Sequence, residues 1–250
     1  MYYYICIDDT DNLESIGTGT IADQIRDMLL DHGFQTPSLV TRHQLFIHPD
    51  IPYTSHNNSM CFTIEGLETD CHEIIALCSD HLKKTAADGS DPGLCILPYY
   101  ESQDYSKLIH FGKAAKISIL NKDAAYLCAK QHQAHLSEHG GTGDGIIGAL
   151  AGVGLRLSGS DGEIKASLKN FPIGNSSTVT ALKKLAEIDL VLDYNSKKPL
   201  ADSDTVHINQ RTKTVLYKNS FVLFVQVNDA FEYTVLGKSQ IRKLGDSFYE

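Results

Sequence analysis

The chain has 250 residues, a formal net charge of −9 and a hydrophobic content of 42%, which is enough to bury a core and argues against intrinsic disorder. It has no apolar run near the ~20 residues that a membrane helix needs, and its start lacks the charged region and cleavage motif of a signal peptide. We therefore predict a cytoplasmic protein with one large or two small domains and no membrane partner.

The charge is unevenly distributed along the chain. Residues 1–159 carry 10 Lys and Arg against 20 Asp and Glu, whereas residues 160–250 carry 12 against 11. Phosphate contacts supply most non-specific affinity for nucleic acids, so RNA-binding proteins usually show a basic stripe. We expect a metal–nucleotide site in the acidic part and any basic patch for RNA in the C-terminal part.

An apolar strand at residues 2–7 opens the chain and runs directly into a carboxylate cluster. Asp8, Asp9 and Asp11 follow it, with Thr10 between them. Such a β-branched and aromatic run is typical of a buried strand. Neighbouring carboxylates repel one another unless a cation lies between them, and Mg²⁺ is commonly held by carboxylates together with substrate phosphates. We predict Mg²⁺ at these three residues, with a solvated acidic turn as the alternative.

A helix is predicted to follow. Thr20 has the position of an N-cap, Asp23 lies three residues later, and Gly33 marks the end. Its apolar stripe consists of Ile21, Ile25, Met28 and Leu29. A helix N-terminus attracts phosphate through its dipole and its backbone N–H groups. The residues predicted to contact a nucleotide here are Thr10, Gly17, Thr18, Gly19 and Thr20.

The next segments give the order β-α-β-β-α-β over residues 2–98. Strands are predicted at 37–47, 60–64 and 93–97, and a second helix begins at Asp70. This order is the ferredoxin-like split βαβ pattern. We therefore predict an α+β fold whose first domain, residues 1–98, carries the Asp-rich site.

Residues 99–159 are predicted to complete that site. Asn121 caps a helix that ends at Gly140, with His132, His135 and His139 on one solvated face. A Gly-rich segment then leads into an apolar helix at 146–154, whose glycines allow close backbone contact. The candidate nucleotide-binding residues here are Gly143, Asp144, Gly145 and Gly148. The segment lacks the P-loop signature, so a purely structural buried helix is the alternative.

Residues 160–250 are predicted to form a second α+β unit. One helix is expected at 177–186, and strands are expected at 204–208, 214–217, 221–227 and 233–236. The chain's six cysteines include no C-x-x-C pair, so we expect reduced, metal-free and mostly buried thiols.

Four sequence blocks resemble a known family. They are Ile7 to Asp11, the segment from Pro49 to Tyr53 with Asn58 beyond it, Asp91-Pro92-Gly93, and Gly145 to Ala151. In this order they are similar to the archaeal tRNA 2-agmatinylcytidine synthetases, which use ATP to activate a wobble cytidine for attachment of agmatine. The resemblance covers most of the first 155 residues.

The resemblance implies a kinase-like region in which Asp8, Asp9 and Asp11 handle the metal and the ATP phosphates. It also implies a threonine near the γ-phosphate, for which Thr18 and Thr20 are the matching candidates. Asn58 and Asp91 fall in its motifs and are assigned to nucleotide binding.

The chain departs from the family at three points. The family's Cys-Thr-Thr type turn is replaced by Thr18-Gly19-Thr20. The basic loop that the family would show is replaced by residues 54–57, in which His56 is the one candidate cation and carries charge only when it is protonated. The family continues into an OB-fold and a zinc ribbon that bind tRNA, and we expect neither within these 250 residues, which have no zinc-ligand spacing. We therefore expect at most weak tRNA binding.

Three functional hypotheses stay open. The first is an Mg²⁺-dependent, ATP-using transferase or ligase with an unknown acceptor, in which Lys113 and Lys116 are further candidate cations. The second is a nucleotide- or tRNA-binding module without catalytic activity. The third is an agmatinylcytidine synthetase that acts with separate tRNA-binding chains. The sequence does not determine the oligomeric state.

Overall fold

A computed structural model shows two compact units, Met1–Ser158 and Gly159–Glu250. The structure describes residues 1–35, 38–51, 57–165, 168, 171–186 and 188–241. Residues 1–98 and 99–158, which the sequence analysis treated as separate segments, lie together in the N-terminal unit.

The N-terminal unit is built on one antiparallel sheet. Its strands are β1 (Tyr2–Asp8), β2 (Thr41–Gln44), β3 (Asn58–Glu65), β4 (Gly93–Tyr99) and β5 (His135–Glu138). Its helices are α1 (Thr18–Asp31), α2 (Cys71–Thr85), α3 (Ser106–Ala114), α4 (Lys122–Gln131) and α5 (Gly145–Leu157). The strand order is β5-β4-β1-β3-β2. The predicted α+β class and the β-α-β-β-α-β order are confirmed.

Both faces of the sheet are covered, which explains why β1 reads as a continuous apolar run. Ile5 and Ile7 pack with the apolar stripes of α1 and α2 in one core cluster. Cys6 points to the opposite face and packs in a second cluster with residues of α3, α4 and α5. A strand buried on both faces shows no alternation of polar and apolar residues.

The glycines of α5 have a steric role, as the sequence predicted. A Cβ built on Gly152 would overlap Ser59 Oγ on β3 and Cys6 Sγ on β1. On α3, a Cβ built on Gly112 would lie 2.7 Å from the carbonyl oxygen of Ala151. The helix therefore packs closely against side chains of the sheet and at backbone distance against α3.

Several predicted boundaries were wrong. The N-cap of α1 is Gly17, not Thr20. Asn121 does cap α4, where its side chain accepts a hydrogen bond from Ala124 N, but the helix ends at Gln131. The chain then reverses through Gln133, whose φ is +56°, and residues 135–138 pair with β4. The predicted helical face of three histidines therefore does not exist, and α3 lies where no element was predicted.

The C-terminal unit has a second mixed α+β arrangement. Its strands are β6 (Glu163–Ile164), β7 (Ser176–Thr178), β8 (Leu190–Asp193), β9 (Thr205–His207), β10 (Val215–Tyr217), β11 (Ser220–Val227) and β12 (Tyr233–Val235), and its helix is α6 (Val179–Ala186). The sheet order is β6-β10-β11-β12-β9-β7, and β8 pairs in parallel with β11. The four predicted strands are present, whereas β6, β7 and β8 were not predicted. Among the described helices of the whole chain, none is long and apolar enough to cross a membrane.

Candidate functional site

The predicted Asp-rich loop lines a cavity of about 290 Å³ in the N-terminal unit. The carboxyl end of β1, the start of β3 and the first turns of α1 and α5 all contribute to it. The predicted site residues in its lining are Asp8, Asp9, Asp11, Gly17, Thr18, Gly19, Asn58, Asp144, Gly145 and Gly148. The structure thus brings together residues that are far apart in the sequence.

Burial and mutual repulsion destabilise the charged forms of the cavity's carboxylates. Burial, together with the charges of Asp9 and Asp11, raises the pKa of Asp8 to about 8. Burial and the charges of Asp91, Asp11 and Asp144 raise the pKa of Asp9 to about 6. The backbone of Asp9 has a φ of +51°, a left-handed conformation that is uncommon outside glycine and is often found at functional sites.

These residues fit a metal ion only together with other ligands. In the described part of the chain, no group of three His, Cys, Asp or Glu side chains is arranged to hold a metal by itself. Mg²⁺ normally keeps waters and binds through one or two carboxylates plus substrate phosphates. The mutual repulsion of Asp8, Asp9 and Asp11 favours a cation among them, so the residues fit Mg²⁺ that arrives with a nucleotide.

Thr18 connects the carboxylates to the start of α1. Its hydroxyl donates a hydrogen bond to Asp11 Oδ1 (3.0 Å) and accepts one from the hydroxyl of Thr10 (3.1 Å). Thr18 is buried and lines the cavity, whereas Thr20 is exposed and lies outside the lining. Thr10 is fully buried behind the lining, so it supports Thr18 instead of facing a ligand. Of the two candidate threonines, Thr18 is therefore the one that lines the cavity.

The Gly-rich segment forms the opposite wall. Asp144, Gly145 and Gly148 line the cavity, but Gly143 lies behind them. Asp91 also lies outside the lining: its Oδ1 accepts hydrogen bonds from the backbone N–H groups of Thr142 and Gly143. The structure thus gives Asp91 the role of a loop anchor, and its assignment to nucleotide binding stays a prediction.

The rest of the cavity is more apolar and carries one cation that the sequence analysis missed. Its lining there includes Arg42, Leu45, Asp50, Ile51, Asn57, Met60, Ser118, Ile119 and Leu120. Arg42 is the sole Lys or Arg among the described lining residues, and Lys113 and Lys116 are not part of the lining. The sequence signal for Arg42 is that it is the one Lys or Arg in the predicted strand at residues 37–47. His56 lies outside the described residues.

Asn58 also has a feature that bears on ligand binding. Its side-chain oxygen is buried and has no hydrogen-bond partner among the residues that the structure describes. A buried acceptor without a donor is costly, so such an atom in a cavity wall favours a ligand that donates a hydrogen bond. The sequence analysis had assigned Asn58 to nucleotide binding.

The six cysteines are free thiols, and five of them are buried. Cys6 lies directly across from Cys61 on β3 and from Cys95 on β4. Burial and the neighbouring cysteines raise the pKa of the Cys6 and Cys95 thiols well above the ordinary value. These side chains act as small apolar residues of the core.

Comparison with known proteins finds similarity in solved structures. No family model and no curated protein matches the chain. A structure described as a tRNA fluorescent labeling enzyme is 25% identical with a TM-score of 0.54, and the match covers 62% of this chain and 36% of that chain. Apo TiaS, described as a tRNA agmatidine synthetase, is 22% identical with a TM-score of 0.52, covering 62% of this chain and 35% of that one.

A third structure, a complex of TiaS with tRNA and ATP, is 23% identical with a TM-score of 0.53, and the match covers 62% of this chain and 36% of that chain. The chain therefore matches little more than a third of the length of each of these proteins. The family resemblance that the sequence blocks indicated is confirmed at the level of the fold.

Proposed function

We propose that the N-terminal unit binds ATP with Mg²⁺ in this cavity and transfers a phosphoryl or nucleotidyl group to an acceptor. The observation that carries the proposal is the meeting of Asp8, Asp9 and Asp11 with the N-termini of α1 and α5 on one cavity. Helix N-termini attract the phosphates, and the carboxylates attract the cation that accompanies them.

Each group has a distinct task in this proposal. Asp8, Asp9 and Asp11 hold Mg²⁺, which neutralises charge on the phosphates when it is bound. The first turns of α1 and α5 face the phosphates with their backbone, and Thr18 is held beside them by Asp11. Phosphoryl transfer requires mainly positioning and charge neutralisation, so this set of groups suffices without a covalent intermediate on the protein.

The comparison with TiaS supports ATP as the ligand. One of the similar structures is a TiaS complex that contains ATP. At 23% identity this likeness concerns the fold alone, so the assignment of ATP to this chain depends on the cavity residues described above.

A second candidate function is the modification of tRNA, which the same complex favours because it also contains tRNA. The charge of residues 1–159, with 20 acidic side chains against 10 basic ones, opposes it. A polyanion is repelled by such a surface unless other protein segments supply cations. We therefore keep the acceptor open and prefer one other than tRNA for this chain acting alone.

Calorimetric titration with Mg²⁺-ATP tests the proposal. Wild-type protein should bind ATP only when Mg²⁺ is present, and the variant Asp8→Asn/Asp11→Asn should lose that binding. The matched control is Asp31→Asn/Asp80→Asn, which removes two exposed carboxylates outside the cavity and should bind like the wild type. Undiminished affinity of the Asp8/Asp11 variant would refute the site, and absence of ATP turnover in a protein that binds ATP would favour a non-catalytic module.

A further inference from the structure

We propose that Lys122, Glu138 and Tyr126 form a brace that positions the Gly-rich loop, residues 140–145, for nucleotide binding at the start of α5. These three are positioning residues, because none of them lines the cavity. The inference rests on the proposed function, since it concerns the phosphate end of the same cavity.

The Gly-rich loop needs external support to keep one conformation. Gly141 and Gly143 have φ values of +55° and +79°, in the left-handed region that glycine adopts freely. Glycine also has the largest conformational freedom in an unsupported chain. Side chains from neighbouring elements must therefore fix the loop if α5 is to begin at a defined place.

The backbone around Thr142 is held from two directions. On one side, the N–H groups of Thr142 and Gly143 donate hydrogen bonds to Asp91 Oδ1, just before β4. On the other side, Lys122 Nζ, in the first turn of α4, donates a hydrogen bond to the carbonyl oxygen of Thr142 at 2.5 Å. Two separate elements thus determine the position of this peptide group.

Glu138 and Tyr126 fix the lysine. Glu138 Oε1 lies 3.4 Å from Lys122 Nζ and accepts a hydrogen bond from the hydroxyl of Tyr126 at 2.7 Å. The Glu138 carboxylate also packs against the loop, because a Cβ built on Gly143 would overlap its Oε2. These contacts join α4, β5 and the loop.

The brace acts on the cavity through the first turn of α5. Ile146 N donates a hydrogen bond to the carbonyl of Gly143 (3.4 Å), and Ile147 N donates one to the carbonyl of Asp144 (3.0 Å). The position of residues 143 and 144 therefore sets that of Gly145, which lines the cavity. Release of the loop should loosen the backbone that faces the phosphates.

The brace lies near the surface, so its removal should affect binding more than folding. The side chains of Lys122 and Glu138 are 35% and 36% exposed. Ion pairs this exposed contribute little to the free energy of unfolding, because solvent screens their charges. A loss of nucleotide affinity in a stable variant would therefore report on the loop and not on general unfolding.

The test combines hydrogen exchange with calorimetry on Lys122→Ala, Tyr126→Phe, Lys122→Arg and the control Lys130→Ala, which removes an exposed lysine from the last turn of α4. In the protein without ligand, Lys122→Ala should speed amide exchange in residues 140–146. It should also weaken Mg²⁺-ATP binding about tenfold, which corresponds to ~1.4 kcal/mol. Tyr126→Phe should show smaller changes in the same direction. Lys122→Arg should keep the wild-type exchange rate and ATP affinity, and so should Lys130→Ala.

Unchanged exchange in Lys122→Ala would overturn the proposal, and so would faster exchange with unchanged ATP affinity. If the wild-type protein bound no ATP, the proposed function would fail instead. The positioning role would then fall with it, while the exchange data would still show whether Lys122 holds the loop.

Discussion

The backbone of Gly148 packs directly against the carboxylate of Asp8, so that a Cβ built on the glycine would overlap Asp8 Oδ2. This contact joins the end of β1 to the first turn of α5. It places the most buried carboxylate of the cavity beside a helix N-terminus, so the Asp-rich block and the Gly-rich block form one wall-to-wall contact.

Gly148→Ala should therefore damage both stability and the cavity. The added methyl group must displace Asp8 or the helix, and overpacking of this kind costs about 1–3 kcal/mol. We expect a lower urea midpoint and at least ~10-fold weaker Mg²⁺-ATP binding, the equivalent of ~1.4 kcal/mol.

Gly17→Ala is a comparison variant from the same cavity lining, because its Cβ would lie 3.5 Å from Asp11 Oδ2, an ordinary contact distance. Its φ is −69°, which any residue can adopt. The two variants should differ clearly in both measurements, and equal behaviour would contradict the close contact between Gly148 and Asp8.

Asp8 should make the ligand-free protein less stable as the pH rises. The pKa of Asp8 is about 8 in the folded chain against an ordinary value of 3.8, so between these values the folded state holds a proton that the unfolded state has released. Unfolding is then increasingly favoured from pH ~4 to pH ~8. Asp9, with a pKa of about 6, acts in the same direction over the lower part of this range.

Asp8→Asn removes this charge, so the variant should gain on the order of a few kcal/mol relative to the wild type near pH 8.5 and little near pH 4.5. Urea unfolding in the presence of a chelator measures the difference at each pH. A wild-type protein that is the more stable of the two at pH 8.5 would show that Asp8 is not a destabilising buried charge.

Removal of the Thr18 hydroxyl should weaken Mg²⁺-ATP binding, whereas removal of the Thr20 hydroxyl should not. Thr18→Val keeps the shape of the side chain but removes its hydrogen bonds to Asp11 and Thr10. Without the hydrogen bond from Thr18 the Asp11 carboxylate is no longer held beside the start of α1, so we expect at least ~10-fold weaker Mg²⁺-ATP binding, the equivalent of ~1.4 kcal/mol. Thr20→Val, at an exposed position, serves as the control. Equal losses of Mg²⁺-ATP affinity in both variants, measured by calorimetry, would contradict the assignment of Thr18 to the site.

Transfer RNA should bind weakly to this chain alone. Residues 1–159 carry twice as many acidic as basic side chains, and exposed like charges repel a polyanion at the site of reaction. We expect no tRNA complex tighter than roughly micromolar at physiological salt, which is the range of non-specific binding. Filter-binding titrations should compare the isoleucine tRNA of the resembling family with an unrelated tRNA. Tight, salt-resistant and selective binding of the first would restore tRNA as the acceptor.

The sequence by itself determined the elements whose signals are local. The apolar run before Asp8 predicted β1, the apolar glycine-containing segment predicted α5, and Asn121 predicted the start of α4, because period, burial and capping act within a few residues. The order of these elements then indicated the α+β pattern. The same local signals found the Asp-rich loop and the Gly-rich segment, which we predicted to complete one site.

Only the tertiary structure decided how these parts meet. Pairing with β4 turned residues 135–138 into a strand, since four residues are too few for a clear period of their own. Contacts between distant segments brought Arg42 into the cavity lining and made Asp91 an anchor of the Gly-rich loop. The physical reason is that a residue's partners across the sheet depend on strand order and register, which local propensity does not specify.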